Sequence, residues 1–195
     1  MKIEFSKRLQ NLPPYLFVEI DKAKRKARQA GRDLIDLGIG DPDQPTPTHI
    51  IEKLYEASKD PKNHKYALDQ GMPALRQAIA AWYKRRFNVR LNPETEILPL
   101  IGSKEGIAHM PLAFVNRGEY VLAPNPSYPP YRGSAILSDA KVCDMPLLEK
   151  NNFLPDFKKI PVTVRKQAKI MFLNYPNNPT GAVADKVFYK KALDF

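Results

Sequence analysis

The sequence predicts an α/β fold with a largely parallel sheet, and two observations support the prediction. From residue 97 onward, short apolar runs alternate with amphipathic stretches, a pattern typical of parallel strands joined by helices. Proline is abundant, with 19 residues in 195 against a usual share of about 5%, and the prolines fall between these segments rather than in one biased tract. They therefore predict rigid turns at the borders of the elements.

In the first half of the chain, prolines and a glycine mark the borders of the helices. The predicted elements are a helix opened by Pro13-Pro14 and closed by Gly31, a short strand at 34–39, and helices that begin at Thr46-Pro47 and at Pro73. Thr46 is the expected N-cap, and Pro47 is the expected first helical residue. A turn at 40–43 follows the strand.

In the second half, predicted strands and helices alternate. The predicted strands are 97–101, 120–123, 141–147 and 169–174, and the predicted helices begin at 102–104, at Tyr131 and near Asp185. Pro111 lies inside the first of these helices and is expected to kink it. The last helix has neither a glycine cap nor a polar tail, so we expect the chain to be the N-terminal part of a longer protein.

Composition argues against several kinds of site and partner: disulfides, metal sites, membranes and nucleic acids. The single Cys143 excludes an intrachain disulfide, and the three histidines lack metal-ligand spacing, so we expect no metal site. No apolar run approaches the roughly 18 residues of a membrane span, and the start is unlike a signal peptide, which predicts a cytoplasmic protein with no membrane partner. The formal charge of +10 is dispersed and comes without a nucleic-acid-binding motif, so we expect solvated helix faces and no nucleic-acid partner.

The first candidate site is the loop Gly102-Ser103-Lys104. It follows an apolar run and opens a helix, where backbone N–H groups and the helix dipole favour an anion. An ordinary capped turn would have the same sequence, and the spacing of a Walker A loop is absent.

Two further loops follow predicted strands, at the end where open α/β sheets bind ligands. The loop 125–131 holds Tyr128 between prolines, as a ring that could stack on a flat heterocycle or pack in the core. The loop 174–181 contains prolines, a glycine and Asn178, whose side-chain amide could donate a hydrogen bond to an oxyanion. The alternative is a turn in which the asparagines bond their own backbone.

These loops, in this order, resemble those of fold-type I pyridoxal-phosphate aminotransferases, with Gly38-Ile39-Gly40-Asp41-Pro42-Asp43 upstream and Tyr66 five residues before Gly71. The stretches 11–17, 38–47 and 100–115 are most similar to the LL-diaminopimelate aminotransferase branch. The resemblance covers essentially the whole chain but only the N-terminal half of such an enzyme.

The resemblance implies an α-β-α sandwich around a mostly parallel central sheet, truncated in this chain. Residues 1–45 would form an N-terminal arm and a segment of the small domain. Residues 46–195 would form an incomplete large, cofactor-binding domain.

The resemblance also implies roles for individual residues. Gly102, Ser103 and Lys104 would hold the phosphate of pyridoxal 5'-phosphate, Tyr128 would stack on its pyridine ring, and Asn178 would donate to its phenolic oxygen. Tyr66 would reach the cofactor of a neighbouring subunit, which implies a homodimer. Ile39, Gly40 and Asn178 would line the substrate pocket.

The Schiff-base lysine of the family would lie beyond Phe195, so this chain would contain no catalytic residue and is expected to be inactive alone. The complete protein is expected to move an amino group between an amino acid and a 2-oxo acid, with LL-diaminopimelate of lysine biosynthesis as the expected substrate. The alternatives are an aminotransferase for aspartate, alanine or an aromatic amino acid, a lyase on the same scaffold, and a non-catalytic remnant module.

Overall fold

The computed structural model describes residues 3–14, 16–36, 38, 40, 42–66 and 70–195, and the chain divides into two compact units. The sheet unit combines Met1–Pro14 with Leu100–Phe195, and the helical unit comprises Tyr15–Pro99. The domain boundary predicted between residues 45 and 46 concerns the complete protein and stays a prediction.

The sheet unit is built on three parallel strands, which confirms the α/β fold predicted from the alternating pattern. They are β1 (Tyr120–Asn125), β2 (Lys141–Pro146) and β3 (Ala168–Met171), in the spatial order β2-β1-β3. Leu122 of β1 lies opposite Cys143 of β2 and Met171 of β3. The central strand β1 is buried from Val121 to Pro124, as expected of a parallel strand covered on both faces.

Alternate side chains of β1 belong to two separate cores, because successive residues of a strand point to opposite faces. Val121 packs with Val115 and Ala135 in one cluster. Leu122 packs with Met145 in the other. Both clusters therefore depend on the same strand.

Helices connect and cover these strands, as parallel pairing requires. The helices of the sheet unit are α1 (Lys7–Gln10), α5 (Ser103–Phe114), α6 (Pro130–Leu137), α7 (Val162–Gln167) and α8 (Lys186–Asp194), and those of the helical unit are α2 (Leu16–Gln29), α3 (Thr48–Ser58) and α4 (Pro73–Phe87). Helix α6 joins β1 to β2, and α5 packs against α6. Within the described residues, no helix has both the length and the apolar character needed to cross a membrane.

Several predicted helix starts are confirmed. Helix α4 begins at Pro73, and α6 begins one residue before the predicted Tyr131. Helix α8 follows Asp185, whose carboxylate accepts a hydrogen bond from the N–H of Phe188 (2.7 Å). These starts were predictable because proline and aspartate each satisfy a specific need of the first helical turn.

Two predicted strands are wrong over the described residues. The run 97–101 forms no strand, because none of the described strands lies beside it to supply hydrogen bonds, and Ile101 is 95% exposed. The run 34–39 likewise forms no strand at 34–36 or at residue 38. Residues 37 and 39 lie outside the described part of the chain.

Smaller differences concern the ends of elements. Helix α3 begins at Thr48, and Pro47 takes the N-cap position with φ −54° and ψ 136°, so the predicted cap at Thr46 is wrong. Strand β3 ends at Met171, although the N–H of Phe172 still donates to the carbonyl oxygen of Leu122 (3.0 Å). Pro111 lies within α5, and the kink predicted there stays a prediction.

The helical unit contains a buried arginine, Arg76 of α4, which is 4% exposed. Its guanidinium donates to the carbonyl oxygens of Gln70 (3.1 Å), Gly71 (2.8 Å) and Pro93 (2.8 Å) and to the carboxylate of Glu94 (2.8 Å). Four partners satisfy a charge that would otherwise be costly to bury. Arg76 therefore ties both segments that flank α4 to the helix.

We predict that Arg76→Met lowers the free energy of unfolding by about 2–4 kcal/mol, because several acceptors lose their donor at a buried site. Arg85→Met, at an exposed position of the same helix, is the matched control and should change it by less than about 0.5 kcal/mol. Urea denaturation followed by circular dichroism measures both. Equally small losses for the two variants would contradict the stabilising role of Arg76.

Candidate functional site

The start of α5 is an exposed helix N-terminus. Gly102 occupies the N-cap with φ +78° and makes no side-chain cap, and a β-carbon added there would meet no atom within 4 Å. Its positive φ, rather than lack of space, therefore favours glycine. Gly102, Ser103 and Lys104 are all exposed, and the carboxylate of Glu105 accepts a hydrogen bond from the N–H of Ile101 (2.7 Å).

The ring of Tyr128 is half-buried in the loop that follows β1. It contacts Tyr131 edge-to-face, with 5.8 Å between ring centroids and an interplanar angle of 82°. Tyr131 is itself buried and stacks on Phe172 at 4.6 Å and 16°. Burial, followed by the nearby Tyr128, raises the pKa of Tyr131 above its ordinary value. This row of rings joins the loop after β1 to the residue after β3.

The sequence left two roles open for the asparagines of the loop 174–181, closing the turn or donating to a ligand, and the structure distinguishes Asn177 from Asn178. Asn177 is buried, and its side-chain oxygen accepts hydrogen bonds from the N–H and the hydroxyl of Thr180 (3.3 and 2.9 Å). Asn178 is exposed, and its carboxamide makes no hydrogen bond with any described residue. One asparagine therefore stabilises the turn, while the next presents its amide to solvent.

Tyr175 anchors the same loop to its surroundings. Its hydroxyl donates to the carbonyl oxygen of Phe153 (3.1 Å), and its ring meets Phe188 of α8 edge-to-face at 5.3 Å. Burial, followed by the nearby Tyr189, raises the pKa of Tyr175 to about 12. The hydroxyl therefore stays protonated and keeps its role as a donor at neutral pH.

The topology brings two of the predicted loops to one edge of the sheet unit. Strands β1 and β3 are parallel neighbours, so the loops with Tyr128 and Asn178 leave the sheet at the same, carboxyl edge. Helix α5 ends six residues before β1 begins and packs against α6. Tyr128 and Asn178 thus lie in loops at one edge of the sheet, and a start of α5 at the same edge stays a prediction.

The remaining predicted site residues belong to the helical unit and are described separately from this edge. Tyr66 is 89% exposed, and Gly40 is also exposed. Ile39, expected to line a substrate pocket, lies outside the described residues. Gly71 has φ +69°, and a β-carbon there would approach Pro99 at 3.2 Å. Both the backbone conformation and the limited space therefore favour glycine at position 71.

The sequence interpretation missed Tyr131, Asn177 and Tyr175, which hold the loops rather than face a ligand. Two of them carried a readable signal. Tyr131 follows Tyr128 by three residues, a spacing at which side chains meet in a helical turn. Asn177 stands three residues before a threonine, as in turns closed by side-chain hydrogen bonds.

An ion pair joins Asp36 to helix α2 in the helical unit. Asp36 accepts a hydrogen bond from the ammonium group of Lys24 (2.6 Å) and another from the N–H of Gly38 (3.0 Å). Arg28 lies 3.5 Å from its other oxygen. Lys24, then Gly38, hold the pKa of Asp36 below its ordinary value of 3.8.

Known proteins similar to this chain were found at the levels of family, sequence and structure. The family described as aminotransferase class I and II matches residues 32–195. The LL-diaminopimelate aminotransferase of Dehalococcoides mccartyi is 53% identical over 193 residues, covering 99% of this chain and 50% of the relative. That of Aquifex aeolicus is 55% identical over 192 residues, covering 98% and 50%.

The similar solved structure is also matched over about half of its length. The solved apo structure of BacF from Bacillus subtilis has a TM-score of 0.91 and 46% identity to this chain, covering 100% of this chain and 50% of that one. The chain therefore spans about half the length of the curated relatives it matches.

We predict that Asp36→Asn lowers the melting temperature at neutral pH but not in acid. A carboxyl whose pKa is depressed on folding contributes stability above its unfolded value, and this contribution is lost as the pH falls through the folded value. The difference from the unmodified chain should thus be full above about pH 4 and shrink below it. Asp33→Asn, which removes a carboxylate that forms no ion pair with a described residue, is the control. A difference that persists unchanged in acid would contradict the ion pair's role.

Proposed function

Because the chain belongs to the class I and II aminotransferase family, we propose that the full-length protein transfers an amino group between an amino acid and a 2-oxo acid, using pyridoxal 5'-phosphate. One observation of this chain supports the proposal: the loops after the parallel strands β1 and β3 carry a half-buried aromatic ring and a carboxamide with no hydrogen bond to any described residue, and α5 offers an exposed helix start. These are the groups needed by a phosphorylated, flat heterocycle with a phenolic oxygen.

The start of α5 fits a phosphate group. Gly102 is exposed, and an anion bound there would lie at the positive end of a 12-residue helix. In the proposed arrangement, backbone N–H groups at 102–104 and the Ser103 hydroxyl donate to phosphate oxygens. Lys104 adds positive charge at this end of the cofactor.

Tyr128 and Asn178 fit the ring of the same cofactor. Tyr128 would stack on the pyridine ring, and its edge-to-face contact with the buried Tyr131 would support it there. Asn178 would donate from its carboxamide to the phenolic oxygen and would lie beside the substrate carboxylate. Bound pyridoxal phosphate supplies an electron sink for bond changes at the amino-acid α-carbon.

The proposal extends to parts of the site in the helical unit and beyond this chain. Tyr66 would reach the phosphate of the cofactor in a neighbouring subunit, so that the protein acts as a homodimer, and Ile39 and Gly40 would line the substrate pocket. We place the lysine that would bond the cofactor covalently beyond Phe195, in the part of the relatives' length that this chain does not span, and Lys104 would lie at the phosphate end. This chain alone would therefore not transaminate.

LL-diaminopimelate is the proposed substrate, on the strength of relatives at 53% and 55% identity whose name specifies it. We place the protein in the cytoplasm, where amino-acid biosynthesis takes place. Aminotransferases for aspartate, alanine or aromatic amino acids, a lyase and a non-catalytic module are the competing assignments that the experiments below separate.

We predict that Tyr128→Leu raises the dissociation constant of the full-length protein for pyridoxal phosphate about fivefold, because a stacked ring pair contributes about 1 kcal/mol. Tyr128→Phe keeps the ring and is the matched control, with an expected change of less than about threefold. Equilibrium dialysis with spectrophotometric detection measures both. Wild-type affinity in the leucine variant would argue against the proposed ring site.

We predict that the full-length protein transfers the amino group of LL-diaminopimelate to a 2-oxo acid with a kcat/KM at least about tenfold above that for other donors, a difference of about 1.4 kcal/mol in transition-state binding. Mass spectrometry of both products measures transfer from LL-diaminopimelate, aspartate, alanine and phenylalanine. A preference for one of the other donors would reassign the substrate. Cofactor binding without any transfer would favour the lyase or the non-catalytic module.

A further inference from the structure

The turn at 177–182 is closed by hydrogen bonds that converge on Asn177. This residue is 4% exposed, and its N–H donates to the carbonyl oxygen of Ala182 (2.8 Å) while its carbonyl oxygen accepts from the N–H of Gly181 (2.7 Å). The Thr180 hydroxyl donates to the Asn177 side chain (2.9 Å) and accepts from the Ala182 N–H (3.3 Å). Backbone and side-chain bonds thus fix the same residue.

The backbone of Asn178 itself is also hydrogen-bonded. Its backbone N–H donates to the side-chain oxygen of Asn174 (3.0 Å). The backbone of Asn178 is therefore held by the side chain of Asn174 and follows the buried, hydrogen-bonded Asn177, while its own carboxamide has no hydrogen-bond partner among the described residues. Because the backbone around Asn178 is already held, binding a ligand through its carboxamide would cost little additional backbone ordering.

We propose that Thr180 and Asn174 are positioning residues for Asn178, holding the backbone from which its amide donates to the cofactor's phenolic oxygen. The inference rests on the function proposed above and goes beyond it, since neither residue would touch the cofactor. Thr180 acts through Asn177, and Asn174 acts directly on the N–H of Asn178.

A merely structural role would give a different result. If the two residues only stabilised the turn, their loss would lower the melting temperature and leave the bound cofactor's chemistry unchanged. A donor to the phenolic oxygen favours its deprotonated form and lowers the pH at which it ionises. A displaced donor should therefore raise the pH midpoint of the cofactor's visible absorbance, which is a readout independent of activity.

The test uses the full-length protein loaded with pyridoxal phosphate, and records visible absorbance against pH. Asn178→Ala should raise the midpoint by about one pH unit, since it removes a hydrogen bond to a charged oxygen. Thr180→Val and Asn174→Ala should each raise it by about half a unit, because the donor is misplaced rather than removed. Thr180→Ser keeps the hydroxyl and should restore the wild-type midpoint.

Thr163→Val is the matched control, because Thr163 is exposed on α7 and should shift nothing. A shift with Asn178→Ala but none with Thr180→Val or Asn174→Ala would overturn this inference and leave the proposed function standing. No shift with Asn178→Ala would overturn both. If Thr180→Val cannot be purified in folded form, as judged by circular dichroism, Asn174→Ala decides the inference alone.

Discussion

The burial of β1 on both faces is the constraint from which the position of the candidate site follows. Val121 and Leu122 enter separate cores, so the strand cannot shift by one residue without exchanging its two faces. Its neighbours β2 and β3 are parallel to it, and parallel strands end at a common edge. The loops with Tyr128 and Asn178 are therefore brought to that edge by packing that takes place elsewhere in the sheet.

Within the site, buried residues hold exposed ones. Tyr131 supports the ring of Tyr128, and Asn177 fixes the backbone before Asn178. In each pair the buried member has its hydrogen bonds or ring contacts within the chain, whereas the outer member is half-buried, as Tyr128 is, or exposed, as Asn178 is. Rigid support of this kind keeps a binding group in place before a ligand arrives and so reduces the entropy lost on binding.

The sequence was sufficient for features that depend on local chemistry. Pro73 and Asp185 marked helix starts because their conformational and hydrogen-bonding preferences act within one turn. The strands β1, β2 and β3 were predictable because each has an apolar run between turn residues. A ligand-binding role for Asn178 could be proposed from the sequence. That Asn177 is buried and closes the turn while Asn178 is exposed could not be predicted, because both are asparagines and only tertiary packing distinguishes them.

The run 97–101 shows the limit of such reasoning. Its apolar residues satisfy the pattern of a strand, yet a strand forms only beside a partner, and the described strands supply none. Leu98 and Ile101 are exposed as a result. A pattern of side chains predicts the capacity to pair, whereas pairing depends on residues distant in the chain.

A crystal structure of the full-length protein with pyridoxal phosphate would show directly whether the cofactor binds at this edge of the sheet. We expect the phosphate at the start of α5 within hydrogen-bond distance of backbone N–H groups at 102–104. We also expect the pyridine ring parallel to Tyr128 and the phenolic oxygen next to the carboxamide of Asn178. A cofactor bound away from this edge of the sheet, or none bound at saturating concentration, would show that these residues do not form the cofactor site.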